Sequence, residues 1–300
     1  MLAMKDVRMR DYLIQTTIMS YPTRYEPLAD TQYFTVEWLA EGVLGVALNR
    51  PPLNTFNRSN WLEMSRVFKH IPNDGDIRAV VLYAMGRCFT AGLDLTESVL
   101  SDIMEESADA ARAAIRLRAI IAEFQGAISA IEECERPVIA VPHNHAIGLA
   151  VDILSAADIR YCTRDTSFSI REASIGLAAD IGTLQRFPKI VGNDSLAREL
   201  VYTARNFDAE EALHIGFVSR VFNSHEEALR AAVETAVVIA GNSPVAVTGS
   251  KTSLNYSRDH SVAEGLHYMQ LLNGAALQTE DMIAAVTGIM QRTKPNFAKL

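Results

Sequence analysis

A chain of 300 residues, 49 % hydrophobic and 21 % charged, is long enough to bury one large core and is ordinary in composition for a globular protein. Its formal net charge of −8 argues against a broad phosphate-binding surface, so no nucleic-acid partner is expected. The three cysteines, Cys88, Cys134 and Cys162, share no metal-ligand spacing and form no disulfide framework. No apolar run approaches the roughly 20 residues of a membrane span, so no membrane is expected either.

Residues 1–30 read as an N-terminal extension. Lys5, Arg8 and Arg10 alternate there with Asp6 and Asp11. A transit peptide would be poor in acids, and a secretory signal would have an apolar centre. Phe34 to Leu48 reads as two strands around a Glu41-Gly42 turn, and Pro51-Pro52 breaks the run. Trp61, Met64, Ser65 and Phe68 follow a helical period. Ala79 to Tyr83 is an apolar run of buried-strand type, and Gly86 to Asp94 is a glycine-containing loop. Leu117, Ile120, Ile121, Phe124, Ile128 and Ile131 predict a long helix over 111–133 with that stripe facing the core. Strands are predicted at Pro137–Val141, Asp158–Cys162, Ser167–Ile170 and Phe217–Val221. Strands alternating with helices imply an α/β layer architecture with crossover connections. Asp208-Ala-Glu-Glu211, Ser224-His-Glu-Glu227 and Ser261-Val-Ala-Glu264 each resemble a helix-opening capping box, and residues 244–291 read as three helices. The chain thus divides into the extension, a core over 31–240 and C-terminal helices with a tail over 241–300.

Three carboxylates stand in unusually apolar surroundings: Asp152, Glu172 and Asp180. Burying a charged carboxylate is costly, and burial raises its pKa toward the range where it moves protons near neutral pH. Their clustering within a short stretch points to a proton-transfer site. Taken singly, each fits a helix cap or a buried salt-bridge partner better than a catalytic role.

Two stretches share one grammar of apolar strand, glycine-containing turn and helix start. One runs from Val80 to Leu95 through Gly92, the other from Val138 to Asp152 through Gly148. Free backbone N–H groups at such turns bind anionic oxygen, and two converging on one oxygen would form an oxyanion hole. Glycine before a helix is also ordinary turn geometry.

Phe89-Thr-Ala-Gly-Leu-Asp-Leu95, Arg136-Pro-Val-Ile-Ala140, Ile147-Gly148 through Asp152, and Ala157-Asp-Ile159 resemble the marks of the crotonase, or enoyl-CoA hydratase/isomerase, superfamily. The resemblance runs from about Phe34 to Arg292. The run Val151 to Cys162, with Glu172 and Ile175 to Arg186, is most similar to the dienoyl-CoA isomerase branch of that superfamily. The resemblance implies a spiral of repeated ββα units and a C-terminal helical trimerisation region, often doubled into hexamers. It implies an acyl-CoA substrate and no cofactor or metal beyond the CoA itself.

Residue by residue, Asp152 and Glu172 fall on the positions of a hydratase's two catalytic glutamates. Asp180 falls on the third acid, which marks the dienoyl isomerases. The N–H groups of Leu93 and Leu149 are the implied oxyanion donors, and Ala91, Gly92, Asp94, Leu95 and Gly148 are implied to frame the substrate. The implied reaction is a 1,5 proton shift from 3,5-dienoyl-CoA to 2,4-dienoyl-CoA in the β-oxidation of unsaturated fatty acids. Glu172 would serve C2 and Asp180 C6, or the reverse, with Asp152 tuning the pair. Asp158 is assigned a structural role, and His143 and His145 structural or solvent-exposed ones. One departure stands out: the superfamily's second donor stretch is commonly Gly-Gly-Gly, and here it is Gly148-Leu149-Ala150. The alternatives are a 2-enoyl-CoA hydratase and a non-catalytic or RNA-binding relative. Finally, Ala298-Lys299-Leu300 is close to the Ser-Lys-Leu peroxisomal address. It predicts a polar, accessible tail, read by a peroxisomal import receptor.

Overall fold

The computed structural model describes residues 18–94, 96 and 109–300. The turn at Gly42, with φ +73, lets β2 (Phe34–Ala40) fold antiparallel onto β3 (Val43–Leu48). β1 (Ile18–Arg24) pairs with the free edge of β2. On the other side β3 is followed in space by β4 (Ala79–Ala84), β5 (Val138–Ala140), β7 (Ile159–Thr163) and β10 (Arg220–Phe222), all parallel. These seven strands form one sheet in the order β1-β2-β3-β4-β5-β7-β10. A smaller sheet joins β6 (His145–Ile147), β8 (Ser167–Ser169) and β9 (Phe207–Asp208).

Every side chain of β3 and β4 is buried, because the large sheet is covered on both faces. One face carries the main core, with Leu44, Val46, Val80 and Leu82 packed against α1 (Arg58–His70), α2 (Ala110–Glu133) and α3 (Leu149–Ala156). The other face meets α7 (His225–Ala240), whose Ala228, Ala232 and Ala236 allow close approach to Val43, Ala47 and Val81. Between α3 and α7 the chain forms α4 (Thr183–Val191), α5 (Asp194–Thr203) and α6 (Ala209–His214). The last third is α8 (Pro244–Ser257), α9 (Val262–Ala276) and α10 (Asp281–Gln291), the three helices expected.

The structure departs from the expectations in four places. The strand expected at Phe217–Val221 is Arg220–Phe222. Phe217 belongs instead to an aromatic cluster, with ring centroids 5.0 Å from Phe187 and 5.6 Å from Phe168. Its aromatic character reported burial rather than strand. Among the three expected capping boxes, Ser261 and Glu264 make the full reciprocal pair. Asp208 and Ser224 accept the expected N–H, from Glu211 and Glu227, but the return bond to the cap backbone is not made. The α2 stripe is split: Phe124, Ile128 and Ile131 enter the core, while Leu117, Ile120 and Ile121 line a cavity. Last, the tail is not free. Phe297 is buried, the Arg78 guanidinium donates to the carbonyls of Phe297 and Ala298, and Lys299 pairs with Asp76. A basic tail finds an acidic partner on the adjoining surface, which local sequence does not reveal.

Candidate active site

Two loops are stitched together below the site. Thr90 and Ala146 form an isolated parallel bridge. Around it, Phe89 N–H donates to His143 O at 3.0 Å, Thr90 N–H to His145 O at 3.1 Å, and Ile147 N–H to Thr90 O at 3.1 Å. The approach is so close that a Cβ on Gly92 would stand 3.1 Å from Ile147 O, and Gly92 has φ +95. Only glycine suits both demands.

A second bridge pairs Phe56 with Leu93. It uses the Gly92 carbonyl, which accepts from Phe56 N–H at 2.9 Å, and the Asp94 N–H, which donates to Phe56 O at 2.8 Å. Parallel pairing on both flanks of Leu93 turns its own N–H to the opposite side, and that group has no acceptor among the described residues. The donor is thus freed by a β-bridge rather than by the helix start expected there. Leu149 opens α3 after Gly148, whose φ is +56, so its N–H is one of the orphan donors of the first helical turn. Leu93 and Leu149 both line one cavity of about 330 Å³.

The same cavity is lined by Glu172 and Asp180. Glu172 begins a one-turn 3-10 helix just after β8, and its Oε1 lies 3.2 Å from where a Cβ on Gly148 would stand. Its Oε2 is buried without a partner among the described residues. Burial pushes the Glu172 carboxyl above its ordinary range, and the Asp180 charge adds to this. Asp180 stands at the exposed mouth, yet desolvation by the apolar wall also raises its carboxyl. Most of the remaining wall is apolar, including Phe56, Ile120, Phe124 and, stacked on Phe124 at 4.1 Å between centroids, Trp61.

Asp152 lies behind this wall and does not line the cavity. It is fully buried, its Oδ1 accepts the Thr183 N–H at 2.6 Å, and its Oδ2 has no partner among the described residues. Burial first, and the Glu172 charge with it, push it up to about 7, against the Thr183 hydrogen bonds and the positive charge of Arg186. Arg186 is held beside Gly182 by Glu132 at 2.7 Å and by Ser129 Oγ at 3.0 Å. Sequence reasoning assigned Arg186 and Thr183 no role. The signal was available only as a cation four residues after a glycine, which is not specific.

The residues expected to frame the substrate divide. Asp94 lines the cavity, but its carboxylate accepts from Arg50 at 2.7 Å and from the Thr96 hydroxyl at 2.7 Å. These bonds, Thr96 first, hold its carboxyl down at about 2. Asp94 therefore anchors the Leu93 loop. Ala91, Gly92 and Gly148, expected to frame the substrate, do not line the cavity, and Leu95 lies outside the described residues. Asp158 accepts from Val138 N–H at 2.7 Å and from buried Lys251 at 2.9 Å, away from the cavity. His143 is buried and stacked on His225 with centroids 4.0 Å apart, and His145 is exposed on β6.

Two backbone N–H groups without acceptors among the described residues, two raised carboxyls and an apolar slot thus meet at one cavity, the groups that proton transfer beside a carbonyl requires. A family model described as enoyl-CoA hydratase/isomerase matches residues 39–299. The chain belongs to that family. It is 47 % identical over 282 residues to the mitochondrial Delta(3,5)-Delta(2,4)-dienoyl-CoA isomerase of Mus musculus, covering 92 % of this chain and 86 % of that one. To the peroxisomal Delta(3,5)-Delta(2,4)-dienoyl-CoA isomerase of Arabidopsis thaliana it is 41 % identical over 262 residues, covering 86 % and 93 %. The solved structure of DspI from Pseudomonas aeruginosa superposes with a TM-score of 0.79 at 28 % identity, covering 90 % of this chain and 98 % of that one.

Proposed function

We propose that the protein isomerises 3,5-dienoyl-CoA to 2,4-dienoyl-CoA in the β-oxidation of unsaturated fatty acids. The observation that carries this is the presence of two raised carboxyls, Glu172 and Asp180, on one apolar cavity with the Leu93 and Leu149 donors. The thioester oxygen sits between the two N–H groups, which stabilise the enolate formed when a proton leaves C2. Glu172, beside Gly148 and hence close to Leu149, takes that proton. The electron pair spreads along the conjugated chain, and Asp180 delivers a proton to C6. The double bonds at C3 and C5 become double bonds at C2 and C4. The shift leaves the oxidation state unchanged, so no cofactor is assigned beyond the CoA of the substrate.

A hydratase would need two carboxylates sharing a water at the cavity. Asp152, on the position of the second one, lies behind the wall and supports that reading poorly. The apolar side chains exposed on α8, α9 and α10, among them Leu254, Val262, Leu266, Ile289 and Met290, support a homotrimer or a hexamer built from it. The peroxisome is the organelle proposed, and the import receptor would have to lift the tail from Asp76 and Arg78 to read it.

The test is an ultraviolet assay with 3,5-octadienoyl-CoA, following the conjugated 2,4-dienoyl thioester. Wild type gives the signal, while Asp180→Asn and Glu172→Gln each lose about 10²–10⁴-fold in kcat. Hydration of 2-enoyl-CoA without isomerisation would overturn the reading.

A further inference from the structure

Leu149 is both a donor and a wall. Its N–H is an orphan donor at the first position of α3, and the residue, 2 % exposed, is part of the cavity wall. An oxygen bonded to this N–H lies about 2.9 Å from the nitrogen. The Leu149 Cβ is two bonds from that nitrogen, and C2 of the acyl chain is two bonds from that oxygen. The leucine side chain therefore crowds the first carbons of the acyl group, which a glycine there would leave free.

A carboxylate borders the same stretch of the cavity. Glu172 Oε1 lies 3.2 Å from the position of a Cβ on Gly148, the residue before Leu149. The carbon that loses its proton is thus enclosed between a carboxylate and an isobutyl group. Neither can yield easily: Leu149 belongs to the main core, and the Glu172 carboxylate is buried. Interiors packed to this density do not accommodate an added methyl without strain.

We propose that Leu149 is the specificity-determining residue of the site and restricts it to acyl thioesters unsubstituted at C2. This rests on the reading of Leu149 N–H as an oxyanion donor. A 2-methyl-3,5-dienoyl-CoA retains one C2 proton and is chemically competent for the same shift, so its exclusion is steric.

The experiment compares 3,5-octadienoyl-CoA with its 2-methyl homologue in wild type, Leu149→Ala and Leu149→Gly. Wild type favours the unbranched substrate about 10–200-fold in kcat/KM. The ratio falls at least tenfold in Leu149→Ala and further in Leu149→Gly. Each ratio is internal to one protein, so a general loss of activity or stability cancels. Binding of octanoyl-CoA and 2-methyloctanoyl-CoA reads the same filter without chemistry. Discrimination in binding without isomerisation would sustain the filter and overturn the proposed function. Isomerisation of both dienoyl substrates by wild type within twofold would sustain the function and overturn the filter.

Discussion

Thr90, in the loop after β4, and Ala146, in β6, meet in a parallel bridge, and this pairing joins the two segments that carry Leu93 and Leu149. Leu93 and Leu149 each lie three residues beyond a bridge partner, on segments that run side by side. The two candidate donors are therefore linked through hydrogen bonds between the loop after β4 and β6 of the small sheet, not through the large sheet.

Loosening the loop that carries Leu93 should cost catalysis more than stability. Arg50 donates to Asp94 Oδ2 at 2.7 Å and to Thr55 O at 2.9 Å. Arg50→Ala is expected to lower kcat by up to about 100-fold, because a misplaced donor forfeits much of its effect. Steady-state kinetics beside a thermal melt would check this. A melt lowered in proportion to the loss of kcat would count against a positioning role.

Asp152 makes stability depend on pH with a defined sign. Its carboxyl is raised to about 7 in the folded state, above its unfolded value, so folding favours the protonated form. That contribution is fully present below about pH 4 and is lost as pH rises through 7. Asp152→Asn keeps the oxygen that accepts Thr183 N–H and removes the charge. It should stabilise the protein at pH 8 by up to about 4 kcal/mol, with the difference vanishing toward pH 4. Urea unfolding of both proteins across this range measures it, and an equal gain at every pH would refute the titration argument.

Phe124 serves the core and the acyl cavity at once. Its ring stacks on Trp61 at an interplanar angle of 18°, and Trp61 Nε1 donates to Glu123 at 3.1 Å. Phe124→Ala should cost about 3–5 kcal/mol of stability. It should also raise KM for medium-chain substrates, since a wall of the slot is removed. Denaturant midpoints and KM values across chain lengths would test both halves.

The C-terminal helices make a prediction about assembly. Ile289 is 77 % exposed and Met290 80 % exposed on α10. Ile289→Glu should shift sedimentation from trimer or hexamer toward monomer, because an interface must then bury a charge. A wild type that sediments as a monomer at micromolar concentration would refute the proposed assembly.

Much of the fold was legible locally. The turn at Glu41-Gly42 located β2 and β3, continuous apolar runs located β4 and β5, and cap residues located the starts of α6, α7 and α9. Phe217 misled, because an aromatic residue among apolar ones signals burial and leaves open whether the backbone is paired. The α2 stripe misled in the same way: a helix face directed at a cavity and one directed at a core have the same period. The docking of Lys299 on Asp76 joins residues far apart in the chain and carries no local mark.

By itself the sequence determined which residues carry charge into apolar surroundings, where glycines free the backbone, and which family pattern those positions match. Only the tertiary structure decided that Glu172 and Asp180 share a cavity while Asp152 stands behind it, and that Asp94 holds a loop. It alone set Leu149 in the wall of that cavity. The reason is physical: residue types and periods are properties of neighbours in the chain. Burial, desolvation and the meeting of groups from separate loops depend on how distant segments pack.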